Sequence, residues 1–178
     1  MKTLILLAFM LILNMFADDG REIISGNTTI VIDSYQETMC GDKSLSHCIY
    51  HFAKQCNNGK NYVACSIVGS LQDSQERYGD AKKHYERVCE MANSKDTFEV
   101  ESIDGKVSKI SAIKAMQTSC YHLGTYYHYG TSVEKNYQKA LQYYKKTCDL
   151  GNSDACDSAR VEMGNIHLDT LFDNVEVK

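Results

Sequence analysis

The stretch Cys120-Tyr-His-Leu-Gly-Thr-Tyr-Tyr-His-Tyr-Gly130, continued by Lys139-Ala-Leu-Gln-Tyr-Tyr-Lys-Lys-Thr-Cys148, decides the fold, because an earlier part of the chain repeats it. Between Cys65 and Cys89 the same residue types recur in register at both ends. Val68 and Leu123 stand three residues after the first cysteine, each followed by a glycine, Gly69 or Gly124. Ala81 and Ala140 stand eight residues before the second cysteine, and Tyr85 and Tyr144 four before it. The segments differ in length by four residues, all in the middle. A loop absorbs such slack, so the pattern describes a helix–turn–helix unit that occurs twice.

Each half has helical periodicity. Cys120, Leu123, Gly124 and Tyr127 fall at i, i+3, i+4 and i+7, one face of a helix. Glycine costs about 1 kcal/mol inside a helix, so Gly69 and Gly124 point to close approach of a neighbouring helix. Gly130 reads as the residue that ends the first helix. The second helix runs from Tyr137 through Ala140 and Tyr144 to Cys148, with Lys145 and Lys146 at its C-terminus, where the dipole favours cations. Backwards, Phe52 and Cys48 precede Cys56 at the same offsets of four and eight, a partial unit. Forwards, a helix from about Ser153 through Cys156 to Met163 lacks the paired Leu-Gly and reads as a terminal cap. The fold class is mainly α: a short, TPR-like solenoid of antiparallel helical hairpins.

The N-terminus indicates the compartment. Lys2 precedes an apolar stretch, Leu4 to Phe16, broken only by Asn14, and Ala17 precedes Asp18-Asp19. That run falls short of the roughly 20 residues a membrane span requires and has the flanks of a signal peptide covering residues 1–17. The expected product is secreted or periplasmic, with no membrane span after cleavage. The formal net charge of −4, with acids and lysines interspersed, gives no basic patch for nucleic acid. Eight cysteines, Cys40, Cys48, Cys56, Cys65, Cys89, Cys120, Cys148 and Cys156, all follow this leader. An even number in an exported chain points to disulfides, with on the order of a hundred pairings open. Structural zinc is the rival, but no C-x2-C pair is present and export favours oxidation. No metal or cofactor is expected.

The runs Ala64-Cys-Ser-Ile-Val-Gly69, Cys120 to Gly130, and Lys139 through Cys148 to Cys156 resemble the Sel-like repeats (SLR) of the Helicobacter cysteine-rich protein family. The resemblance covers roughly residues 44–164. In that family a cysteine ending one repeat is bonded to one opening the next. The resemblance therefore implies Cys56–Cys65, Cys89–Cys120 and Cys148–Cys156, leaving Cys40 with Cys48. The implied pairs are geometrically reasonable, since an antiparallel helix turn brings residues eight or nine apart to the ~5.5–6 Å Cα separation of a disulfide. Each short staple contributes about 2.5 kcal/mol in the loop-entropy account.

Two segments depart from the pattern. Between Cys89 and Cys120, Phe98 to Ile103 and Lys106 to Ile110 flank Asp104-Gly105, a β-hairpin at about 97–110 with the signature of a type I′ turn. In the extension 18–39, Glu22-Ile-Ile and Thr28 to Asp33 around Gly26-Asn27 are candidate strands that would pack with that hairpin. The repeat domain occupies 40–178.

The resembled family also implies β-lactamase or penicillin-binding activity, with β-lactam or cell-wall compounds as partners. Such enzymes need S-x-x-K, S-D-N and K-T-G. S-x-x-K occurs at Ser111–Lys114 and Ser132–Lys135, whereas the other two are missing. With 15 serines and 15 lysines among 178 residues, chance supplies about one such string, so these mean little. His47 and His51 share a helix face without the glutamate of H-E-x-x-H. No catalytic residue is assigned. The remaining feature is tyrosine, with 12 in the chain. His122, Tyr126 and Tyr129 fall at i, i+4 and i+7 opposite the Tyr127 stripe. They either pack against the next hairpin or form a face for a protein or peptide partner. The preferred function is an exported protein- or peptide-binding module; the β-lactam reading is the alternative.

Overall fold

The computed structural model describes residues 39–173, with side chains to residue 167. The leader and the candidate strands of the N-terminal extension lie outside the described residues. Helix α1 (Leu45–Gly59) is followed by α2 (Tyr62–Asp73) and α3 (Tyr78–Met91), then strands β1 (Thr97–Glu101) and β2 (Val107–Ser111), and helices α4 (Ala112–Tyr129), α5 (Tyr137–Asp149) and α6 (Ser153–Asp173). Each helix packs against the next, and α2 also packs against α4. The chain thus builds two full hairpins, α2–α3 and α4–α5, flanked by α1 as a second helix without its first and α6 as a first helix without its second.

Side-chain oxygens start most of these helices. Asn61 accepts from Ala64 N–H at 3.1 Å, Asn136 from Lys139 N–H at 2.9 Å, and Asn152 from Ala155 N–H at 2.9 Å. Asn61 and Asn152 both stand four residues before a unit's first cysteine. In α4 that position is Met116, inside the helix, and the cap has moved back to Ser111. This longer α4 follows directly from the inserted hairpin. Gly130, at φ +79°, ends α4 in the left-handed conformation with its N–H on Tyr126 O.

Inside each hairpin the recurring glycine and tyrosine meet. A Cβ at Gly69 would lie 2.7 Å from the Tyr85 ring, and one at Gly124 would lie 2.6 Å from the Tyr144 ring. The glycines therefore admit a tyrosine of their own hairpin. The Tyr85 hydroxyl reaches Ser70 Oγ at 3.5 Å and the Tyr144 hydroxyl reaches Thr125 Oγ1 at 3.4 Å, the residue after the glycine in both cases. Ala81 and Ala140 are fully buried.

The four disulfides sit at the joints. Cys56–Cys65 ties α1 to α2, Cys89–Cys120 ties α3 to α4, Cys148–Cys156 ties α5 to α6, and Cys40–Cys48 holds the segment entering α1; Cα separations run from 4.7 to 5.5 Å. Apolar burial follows the same linear plan. One cluster gathers Phe52, Val68, Val88, Val100 and Met116, a second Ala81, Tyr85, Leu123 and Tyr126, a third Tyr127, Ala140, Tyr144 and Ala159.

The inserted strands pair antiparallel from Thr97↔Ser111 to Glu101↔Val107. The turn is not type I′, which needs positive φ at both central residues. Only Gly105 has it, at +85°, and Asp104 does not. Gly105 N–H bonds Ser102 O at 3.0 Å, closing a turn on Ile103-Asp104 that hands over to a left-handed glycine. The outer edge of β1 is closed by side chains: Gln55 both donates to Glu101 O and accepts from Glu101 N–H, and Asn61 donates to Glu99 O.

Candidate functional site

Of the two alternatives left open for His122, Tyr126 and Tyr129, packing and a binding face, the fold gives packing to the first two and exposure to the third. Tyr126 is 3% exposed and its hydroxyl donates to Asp73 Oδ1 at the end of α2. His122, with 14% of its side chain exposed, stacks on Tyr85 at 4.8 Å and places Nδ1 3.6 Å from Asp73 Oδ2. Tyr78 meets Tyr126 edge-on at 5.8 Å. These side chains are the packing of the α2–α4 joint. Tyr129 alone of the three is exposed, at 64%, with its ring edge-on to His128 at 4.3 Å. The reason is that α4 contacts α2, α3 and α5 together, so its buried arc exceeds the single stripe through Cys120 and Leu123.

The joint is also electrically quiet. Burial lowers the His122 pKa, against an opposing pull from Asp73, which leaves the imidazole neutral at pH 7. Burial and the Asp73 carboxylate hold the Tyr126 hydroxyl far above the ordinary phenol range. Among the described residues, His122 Nε2 and Gln72 Oε1 are buried without a hydrogen-bond partner. The cluster joins the two hairpins through the Tyr126–Asp73 hydrogen bond and the stack of His122 on Tyr85.

The next joint repeats the arrangement with other residues. His128 Nδ1 on α4 contacts Glu162 Oε1 on α6, and Glu162 is 1% exposed. Asp73 and His128 each lie eight residues after the first cysteine of their unit; Tyr126 and Glu162 each lie six after the first cysteine of the following one. One positional rule therefore links consecutive first helices. A second rule links the second helices. Two residues before the closing cysteine, Arg87 donates to Cys56 O at 3.2 Å, and Lys146 donates to Cys89 O. Each cation caps the last turn of the preceding second helix. Asp73, Glu162 and Arg87 were missed by sequence reasoning, because their signal is a shared offset filled by unlike residues.

Residues 117–152 match the Sel1 repeat. No curated protein and no solved structure matches the chain. The Sel1 segment covers most of α4, all of α5 and the approach to α6, so it contains one hairpin and both of its tyrosine–glycine partners. The α2–α3 hairpin has the same glycine–tyrosine contact as the matched segment, although the match does not reach it.

The remaining candidates fall elsewhere. Ser111 Oγ accepts from Ile113 N–H and so caps α4. Ser132 lies in the α4–α5 loop at φ +57°. His47 is exposed, whereas His51 contacts Glu101 O at 2.7 Å and supports the hairpin edge. None of these brings a nucleophile to a base. Among the described residues, no helix is long and apolar enough to cross a membrane.

Proposed function

We propose that the chain is an exported interaction module whose Sel1 hairpins present a fixed surface to a protein or peptide. Sel1 repeats serve generally as protein-interaction modules. The observation that carries the reading is the pairing of that repeat with a disulfide at every hairpin joint. Staples of this kind hold a binding surface in one shape and lower the ordering cost of association. Four disulfides suit an oxidising compartment, and Lys2 to Ala17 supports export to the periplasm or the medium. Tyr129, rather than Tyr126 or His122, is the contact residue of choice, because tyrosine supplies rigid amphipathic area and this one is exposed.

The test places a photo-crosslinking amino acid at position 129 and, as a control, at Tyr50 on α1, which is more exposed still. The expected result is one discrete adduct in the native envelope from position 129, competed away by unmodified protein. Identical adducts from both positions, or none from 129, would count against it. N-terminal sequencing of the mature protein checks export directly: the account expects a start after Ala17, and a chain beginning at Met1 would contradict it.

A further inference from the structure

One of the four disulfides differs from the rest in its surroundings. Arg87 Nη1 donates to Cys56 Sγ at 3.4 Å and to Asn57 Oδ1 at 3.3 Å, while Nη2 holds Cys56 O. One helical turn earlier on α3, His84 Nδ1 lies 3.8 Å from the same sulfur. Cys56 Sγ, Cys65 Sγ and His84 Nδ1 all lie within 4.8 Å of one another, the one group of three such donors among the described residues. The equivalent positions of the second hairpin are Tyr143 and Lys146. The cationic cap is therefore shared by both hairpins, and the imidazole is peculiar to the first.

We propose that Cys56, Cys65 and His84 form a redox-gated site for a thiophilic divalent cation, zinc above all. The disulfide keeps the site closed. A dithiol opens it: one thiolate attacks a sulfur of the pair, the other sulfur leaves as a thiolate, and the second thiol of the reductant resolves the mixed disulfide. Two electrons pass from the dithiol, which ends as its own disulfide. Zinc then takes the two cysteine sulfurs as thiolates and releases two protons to solvent.

Geometry and charge both fit. Zinc binds thiolate at about 2.3 Å and imidazole at about 2.0–2.1 Å in a tetrahedron, which sets neighbouring donors about 3.5–3.8 Å apart. The His84–Cys56 contact already has that spacing. Arg87 favours the Cys56 thiolate over the thiol and would go on donating to that sulfur once it is metal-bound. Both cysteines are buried, which suits a small dithiol better than a protein one. The three donors are spread over α1, α2 and α3 with no C-x2-C spacing, which is why the sequence shows no zinc motif.

The chain is treated with graded dithiothreitol, freed of reductant without air, and titrated with zinc alone against a chromophoric competitor. Alkylation and mass spectrometry identify the free thiols. The proposal expects one zinc per chain once Cys56 and Cys65 are reduced, protection of those two from alkylation, and no binding by the oxidised chain. His84→Ala should weaken binding by at least about tenfold, and His84→Cys should restore it by supplying another ligand. Zinc protection of other cysteines, no uptake after reduction, or His84→Ala binding like the native chain would overturn the proposal.

Discussion

A single methyl group measures how tightly a hairpin closes. At Gly124 an added Cβ lies 2.6 Å from the Tyr144 ring, so Gly124→Ala has to displace a buried aromatic. That overpacking should outweigh the helix-propensity gain of about 1 kcal/mol and leave a net loss of about 1–2 kcal/mol in urea unfolding. At Gly164, where a Cβ meets nothing within 4 Å, the same change should be neutral or stabilise by up to about 1 kcal/mol. Equal effects at the two sites would contradict the ring-on-glycine account. The histidines make a second residue-scale prediction. Burial depresses the pKa of both His84 and His122, so the folded state resists their protonation. Stability from this source is complete above about pH 6.5, the unfolded histidine value, and is lost as pH falls through the folded values. His122→Phe keeps the stack on Tyr85 and removes one titrating group, so its stability should fall less steeply between pH 7 and pH 5. A slope equal to that of the native chain would contradict the assignment. The glycine–tyrosine pairing was legible in the sequence because identical residues recur in register. The accompanying Ser70 and Thr125 were overlooked although they share one offset.

Elements explain what periodicity could not. The α4 stripe through Cys120, Leu123 and Gly124 was readable, and those residues are buried. The rest of the helix was not, because three helices pack on α4 and a stripe analysis assumes one neighbour. This is why the helical positions of His122, Tyr126 and Tyr129 left packing and a binding face both open, and why the first two belong to a joint. The turn at Asp104-Gly105 was found in place but with the wrong geometry, since a dipeptide signature does not distinguish a two-residue turn from a longer loop ending in a left-handed glycine. The links between second helices yield the prediction at this scale. Arg87→Ala and Lys146→Ala each remove a charged cap from the preceding helix, a loss of about 1–2 kcal/mol apiece. The two caps share no partner, so the double variant should show the sum within about 0.5 kcal/mol. A strongly non-additive result in chemical denaturation would mean that the joints do not act independently.

At the scale of the whole molecule, the apolar residues gather in three successive clusters, one-dimensional packing in which each hairpin leans on its neighbours. Small units of this kind bury too little surface to stand alone, which gives the cysteines their structural role. Each pair closes a joint between consecutive helices, or the entry to the first, and the longest loop, Cys89 to Cys120, encloses the inserted β-hairpin. Hairpin count, insertion and terminal helix were all readable from the sequence. The cluster of His84 and Arg87 around Cys56 was not, because it assembles only when α3 folds back across α1 and α2. The most direct test is to map the disulfides of the native protein by non-reducing proteolysis and mass spectrometry. The account predicts Cys40–Cys48, Cys56–Cys65, Cys89–Cys120 and Cys148–Cys156 with no free thiol. A bond that skips a joint, such as Cys65 to Cys89 or Cys120 to Cys148, would contradict the hairpin stack.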